Sequence, residues 1–171
     1  CGESGISVYV GSVGLVEERV QAQATQLAKG VILRLVRKYG REQVKQGMNE
    51  VQDYVERAVR QRIAALPDGT WKSVDYIDRD PSGGEGMIPI HIKMTIKGDQ
   101  IHYDFEGSHP TIGSMYNSAP GATFSAVVAG MKTFFPDLPL NSGFYRMLSV
   151  AAPENSVVSA QWPTAVTGFL M

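Results

Sequence analysis

The stretch that decides the fold is Ile88-Pro89-Ile90-His91-Ile92-Lys93-Met94-Thr95-Ile96-Lys97, then Gly98-Asp99, then Gln100-Ile101-His102-Tyr103-Asp104-Phe105-Glu106. Apolar and polar residues alternate on both sides of Gly98-Asp99, which is the period of a half-buried strand. A two-residue Gly-Asp step between such runs marks a tight hairpin. With that loop Lys97 faces Gln100, Ile96 faces Ile101, Met94 faces Tyr103 and Ile92 faces Phe105, so one face is wholly apolar. The other face pairs Thr95 with His102, Lys93 with Asp104, and His91 with Glu106. Opposite charges directly across a ladder stabilise it by roughly 0.2–1 kcal/mol each. A single register therefore buries one face and pairs the charges on the other.

Upstream of the hairpin the period changes. Val16, Val20, Ala24, Leu27, Val31 and Leu35 form one stripe at helical spacing, ending at Tyr39-Gly40. Glycine can take the left-handed position that closes a helix. Gly30, inside the stripe, costs about 1 kcal/mol relative to alanine. A second stripe runs Val44, Met48, Val51, Val55, Val59, Ile63, Leu66 and stops at Pro67-Asp68-Gly69, a turn signal. Two long helices joined at Gly40 predict an antiparallel helix hairpin over residues 15–66. Residues 1–14 hold four glycines and a short apolar run, and read as a lead-in segment or a strand.

The sheet-containing part spans residues 67–171. A strand is expected at 70–78, a flexible loop at 80–86, and a Gly/Ser/Pro/Asn-rich loop at 107–121. A small, apolar, buried helix is expected at 122–135 and another strand at 144–152. The predicted class is α+β: a long antiparallel helix hairpin, an antiparallel or mixed sheet, and one buried helix.

The chain has 171 residues, enough for one domain with a core. A net charge of −1 argues against a dedicated nucleic-acid binder. The charge is uneven, with ten Lys/Arg against seven Asp/Glu in residues 1–66 and six against ten thereafter. Cys1 is the single cysteine, so no internal disulfide can form. No signal peptide and no apolar run of the ~20 residues a membrane span needs is visible, which leads to an expectation of a cytoplasmic protein without membrane partners. The apolar end at Phe169-Leu170-Met171 suggests a piece of a longer polypeptide.

Among residues that could carry chemistry, His91 and His102 fall on the polar hairpin face with cross-strand partners, and no metal-ligand spacing surrounds them. His109 follows Gly107-Ser108 in the polar loop and is a candidate catalytic group. Asp104 could act as a base, but Lys93 opposite gives it a structural role. Ser108 and Ser114 have no sequence-evident partner for a Ser-His-Asp arrangement. Asn117 either caps the region before the buried helix or binds a substrate carbonyl; it is a candidate for both catalysis and substrate binding, and Ser108 is a second candidate for substrate binding. There is no P-loop or dinucleotide fingerprint.

From Lys38 onward the order of motifs resembles the hydantoinase B family, which includes N-methylhydantoinase B subunits, 5-oxoprolinases and the large subunits of acetone and acetophenone carboxylases. The pieces are Lys38-Tyr39-Gly40, Tyr54-Val55-Glu56-Arg57, Ala65-Leu66-Pro67-Asp68-Gly69-Thr70, and Gly98-Asp99-Gln100-Ile101 with Asp104-Phe105-Glu106-Gly107-Ser108. They continue with Asn117, then Phe135-Pro136-Asp137-Leu138-Pro139-Leu140-Asn141-Ser142-Gly143, then Val150-Ala151-Ala152-Pro153-Glu154-Asn155-Ser156. The resemblance implies one segment of a B-type subunit in an ATP-dependent enzyme that opens hydantoin or 5-oxoproline-type lactam rings. A hydantoinase A-type partner would bind ATP and activate the substrate carbonyl, in a hetero-oligomer that also contains the remainder of the B-type polypeptide. The alternatives are a segment of an acetone/acetophenone-type carboxylase, or a non-catalytic assembly segment. A divalent metal is implied for some members, with its ligands outside this chain. Where the family commonly has Gly-Pro before the asparagine and Cys-Pro after it, this chain has Ser114-Met115-Tyr116 and Ser118-Ala119-Pro120.

Overall fold

The structure is a computed structural model that describes residues 3–80, 83 and 86–166, with side chains described from residue 20 onward. In chain order the elements are α1 (Glu3–Tyr39), α2 (Arg41–Ile63), β1 (Gly69–Ile77), β2 (Ile88–Lys97), β3 (Gln100–Asp104), α3 (Pro120–Phe134), a 3-10 turn (Ser142–Tyr145) and β4 (Leu148–Ala151). The class is α+β, with two successive helices, a four-stranded mixed sheet and a third helix. The expected lead-in over residues 1–14 is instead helical from Glu3 onward. Glycine weakens a helix without forbidding it, and no proline interrupts the chain before Pro67.

The chain divides into two compact units, residues 1–50 and 51–171. The division falls inside α2. The reason is burial: Val55, Val59 and Ile63 on the last turns of α2 are fully enclosed in the core of the second unit. In the first unit Gly40 alone separates the helices, at φ +84°, and its N–H donates to the Val36 carbonyl at 2.8 Å. The apolar stripe of α1 is exposed over its described length, with Leu27 70% exposed.

In the second unit the strand order is β1-β2-β3-β4, antiparallel except for the parallel β3–β4 pair. The hairpin register agrees with the sequence pattern over five pairs, from Lys97↔Gln100 to Lys93↔Asp104. Lys93 and Asp104 form an ion pair across it. The ladder stops there, short of the expected Ile92–Phe105 and His91–Glu106 pairs. Glu106 N–H turns back to the Asp104 carboxylate (3.0 Å) and Phe105 N–H donates to Ala151 O (2.9 Å), so the chain leaves β2 for β4.

The expected strand at 144–152 is also shortened, to Leu148–Ala151. Asn141 caps a 3-10 turn before it, its side-chain oxygen accepting from Gly143 N–H at 2.9 Å.

The apolar sheet face supports two buried clusters. One joins Val55, Val59 and Ile63 of α2 to Ile96, Ile101, Val128, Met131, Phe135 and Phe144. The other joins Ile88, Phe105, Ile112, Val157 and Val158. Tyr103 packs against both. Among the described residues no helix is long and apolar enough to cross a membrane.

Candidate functional site

The loop between β3 and α3 carries the residues singled out by sequence, and it is laced to the segment after β4. His109 O accepts from Val157 N–H (2.8 Å), Thr111 N–H donates to Asn155 O (2.8 Å), and Ser118 N–H donates to Val157 O (2.7 Å). Ser118 O in turn accepts from Ala160 N–H at 2.9 Å. Buried backbone groups need such partners, so the two loops form one rigid seat rather than two free connections.

Ser108 is buried, and its hydroxyl replaces a missing strand. Its Oγ accepts from His91 N–H (3.0 Å) and donates to His91 O (3.3 Å). It thereby serves both backbone groups of a β2 residue that has run out of ladder. Gly107, just before it, sits at φ +90°, a conformation that favours glycine.

Asn117 is fully buried and fully engaged. Its Oδ1 accepts from Ile112 N–H (2.9 Å), and its Nδ2 faces Ile112 O (2.9 Å), Ser114 O (2.8 Å) and Ala165 O (3.1 Å). The side chain ties its own loop to residue 165, and the Ser114 hydroxyl beside it is buried without a partner among the described residues.

His109 keeps a functional group in reserve. Its Nδ1 lies 2.7 Å from Pro110 O. A carbonyl can only accept, so Nδ1 carries the proton there. No hydrogen bond among the described residues engages Nε2, and the ring is half-buried at the protein surface.

His91 and His102 lie on the polar sheet face, the latter with Nδ1 2.7 Å from Ser149 Oγ. Among the described residues no group of three His, Cys, Asp or Glu side chains is placed to hold a metal.

Sequence reasoning missed an ionic lattice on α2. Arg146 reaches Asp53 and Glu56, both at 2.9 Å, and Gln52 at 2.9 Å. Arg60 bridges Glu56 (2.8 Å) and Asp99 at the hairpin tip (3.1 Å). The hydrogen bonds from Arg146 and Arg60 hold the Glu56 carboxyl below its ordinary range. Arg146 and Asp99 lie so far in sequence from their α2 partners that they carry no pairing signal.

Also unforeseen is an apolar groove of about 880 Å³ between α3 and the sheet, walled by Ile90, Ile92, Tyr103, Phe105, Ala126 and Phe134. Burial pushes the Tyr103 phenol above its usual pKa. Hydroxyls at the groove edge are engaged: Thr123 Oγ1 donates to Val158 O (2.6 Å) and lies 3.0 Å from Ser118 Oγ. None of Ser108, His109 and Asn117 turns its side chain to a partner in this groove.

Comparison with known proteins adds a consistent picture. The family model described as Hydantoinase B/oxoprolinase matches residues 15–171. The caprolactamase subunit beta of Pseudomonas jessenii is 30% identical over 145 residues, covering 84% of this chain and 25% of that protein. The 5-oxoprolinase 1 of Arabidopsis thaliana is 27% identical over 161 residues, covering 88% of this chain and 13% of that protein. The crystal structure of the ATP-dependent caprolactamase from P. jessenii superimposes with a TM-score of 0.80 at 27% identity, over 88% of this chain and 26% of that one. A nucleotide-free acetone carboxylase structure shares the fold, with a TM-score of 0.79 at 20% identity over 91% of this chain and 22% of that one. The chain spans about a quarter of the caprolactamase subunit's length.

Proposed function

Because the chain belongs to the hydantoinase B/oxoprolinase family, we propose that it is a segment of a B-type subunit in an ATP-dependent amidohydrolase that opens cyclic amides. In this reading an A-type partner binds ATP and phosphorylates the lactam carbonyl. The B-type polypeptide, of which this chain is one part, receives the activated intermediate in a cytoplasmic hetero-oligomer and completes ring opening. An unactivated lactam is a poor electrophile, and phosphorylating its carbonyl oxygen supplies a leaving group that makes attack at carbon feasible.

The observation that carries the lactam reading is the 30% identity to a caprolactamase subunit. The acetone carboxylase likeness, at 20% identity, supports the fold alone. A ketone carboxylase segment is therefore the second reading.

Within the segment, His109 is the candidate for contact with the reacting molecule, because Nε2 remains available. Ser108 and Asn117 act as scaffold, since their polar atoms are bound within the chain. The test is product analysis on the full-length complex with its A-type partner, ATP and divalent metal. A caprolactam, 5-oxoproline or hydantoin arm is run beside an acetone-plus-bicarbonate arm. ATP-dependent ring opening is expected; carboxylated ketone without ring opening overturns the lactam reading.

A further inference from the structure

The bend that follows α3 is built around a cation. Lys132 Nζ lies 3.1 Å from Phe135 O, 2.8 Å from Pro136 O and 2.6 Å from Leu138 O. An ammonium has three N–H donors and no acceptor, so these three carbonyls satisfy it completely. The Phe144 ring is 6.0 Å away, at the edge of cation–π range.

An ordinary lysine at a helix C-terminus donates to the last carbonyls of its own helix. Here α3 ends at Phe134, and all three acceptors lie beyond it. The chain has curled its own carbonyls around the charge. Its side chains are sorted to permit this. Phe135 and Leu138 are buried in the core, 8% and 5% exposed, while Asp137 turns outward to an ion pair with Arg62. Among the described residues no carboxylate oxygen is bonded to the Lys132 ammonium.

We infer that the bend of residues 135–138 is a monovalent-cation site which the chain fills with its own Lys132 ammonium. Neutral backbone carbonyls are the kind of donor that replaces the hydration shell of a potassium-sized ion, and the three here would supply part of that shell, with water completing it. Hard divalent cations call instead for charged oxygens or retained water. Ammonium and potassium are thus the free ions that this bend would accept if Lys132 were removed.

The test is made on the full-length protein with Lys132→Gly, which opens the space, and Lys132→Met, which fills it without charge. Both variants are expected to lower the unfolding midpoint in tetramethylammonium chloride by about 3 °C or more, the size of shift that a loss of one or two charge-assisted hydrogen bonds gives. Ammonium or potassium chloride at the same ionic strength should restore at least half of the loss in the Gly variant and none in the Met variant. Coincident midpoints of the Gly variant in the two salts overturn the inference.

Should the Gly variant not fold, the native protein decides. Lys132 should be acylated by a water-soluble activated ester at least ~10-fold more slowly than exposed Lys97, because the bend must open first. Equal rates overturn the inference.

Discussion

Gly143 stands against the backbone of α2 so closely that a Cβ placed on it would lie 2.0 Å from the Gln52 carbonyl oxygen. Neither side of that contact is a flexible side-chain end. The same approach is tied down by Ser142 Oγ donating to Gln52 Oε1 at 2.6 Å and by Arg146 reaching Gln52, Asp53 and Glu56. The Asn141-Ser142-Gly143 run is thus a dock for a helix: a cap, a hydrogen bond and an absent side chain.

Gly143→Ala should therefore destabilise the protein by about 3 kcal/mol or more, at the upper end of overpacking costs, because backbone must separate from backbone. Urea unfolding measures it. A loss under about 0.5 kcal/mol, the range of neutral surface changes, would show that the 3-10 turn can lift off α2 freely.

Asn117→Ala should cost about 2–4 kcal/mol, since it leaves the buried backbone groups of Ile112, and the carbonyls of Ser114 and Ala165, without the side-chain partner they have here. Asn117→Asp should be no better, as a carboxylate cannot donate to those carbonyls. The scaffold reading expects stability and activity to fall together. A variant of unchanged midpoint but lost turnover would place the amide on the substrate instead.

Ser108→Ala should cost about 1–3 kcal/mol through the unpartnered His91 backbone. His109→Ala, by contrast, should leave the midpoint nearly unchanged and lower kcat of the full complex. Measuring both quantities for both variants separates scaffold from reacting group; equal behaviour of the two would refute the assignment.

Stability should fall on acidification through particular carboxylates. Hydrogen bonding from Arg62 holds Asp137 at about 2, below its ordinary 3.8. Hydrogen bonds from Lys93 and from Glu106 N–H lower Asp104. A carboxyl with a lowered folded pKa binds fewer protons folded than unfolded, so stability decreases as pH falls. The Asp137 contribution is full above about pH 4 and is lost as pH drops toward 2. Asp137→Asn and Asp104→Asn should each flatten the midpoint-versus-pH curve below pH ~4 while leaving its shape at neutral pH unchanged; slopes identical to the parent would contradict the pairings.

The hairpin was legible because both its faces carry a message: one register pairs Ile96 with Ile101 and Lys93 with Asp104. Its early end was not, because a serine hydroxyl that stands in for a strand partner looks in sequence like any loop serine. The helical stripes located α1 and α2, but a period cannot say which part of a stripe is covered. Val59 is enclosed while Leu27 is exposed, although both have the same helical spacing. The parallel β3–β4 pair depends on a crossover through α3, and such pairing leaves no local turn signal. At the candidate site, the loop and its residues were visible from composition. The availability of His109 Nε2 and the engagement of Asn117 were not, because both depend on backbone carbonyls that every residue carries.

Tyr103 packs against both buried clusters, and this bears on how the second unit comes apart. A residue shared between two apolar clusters couples their melting: one cannot loosen without uncovering the ring that closes the other. Residues 51–171 should then behave as one foldon. The slowest amides of α2 and of the Val157–Val158 segment should exchange through the same opening, with one common free energy, and Tyr103→Ala should split that single value into two.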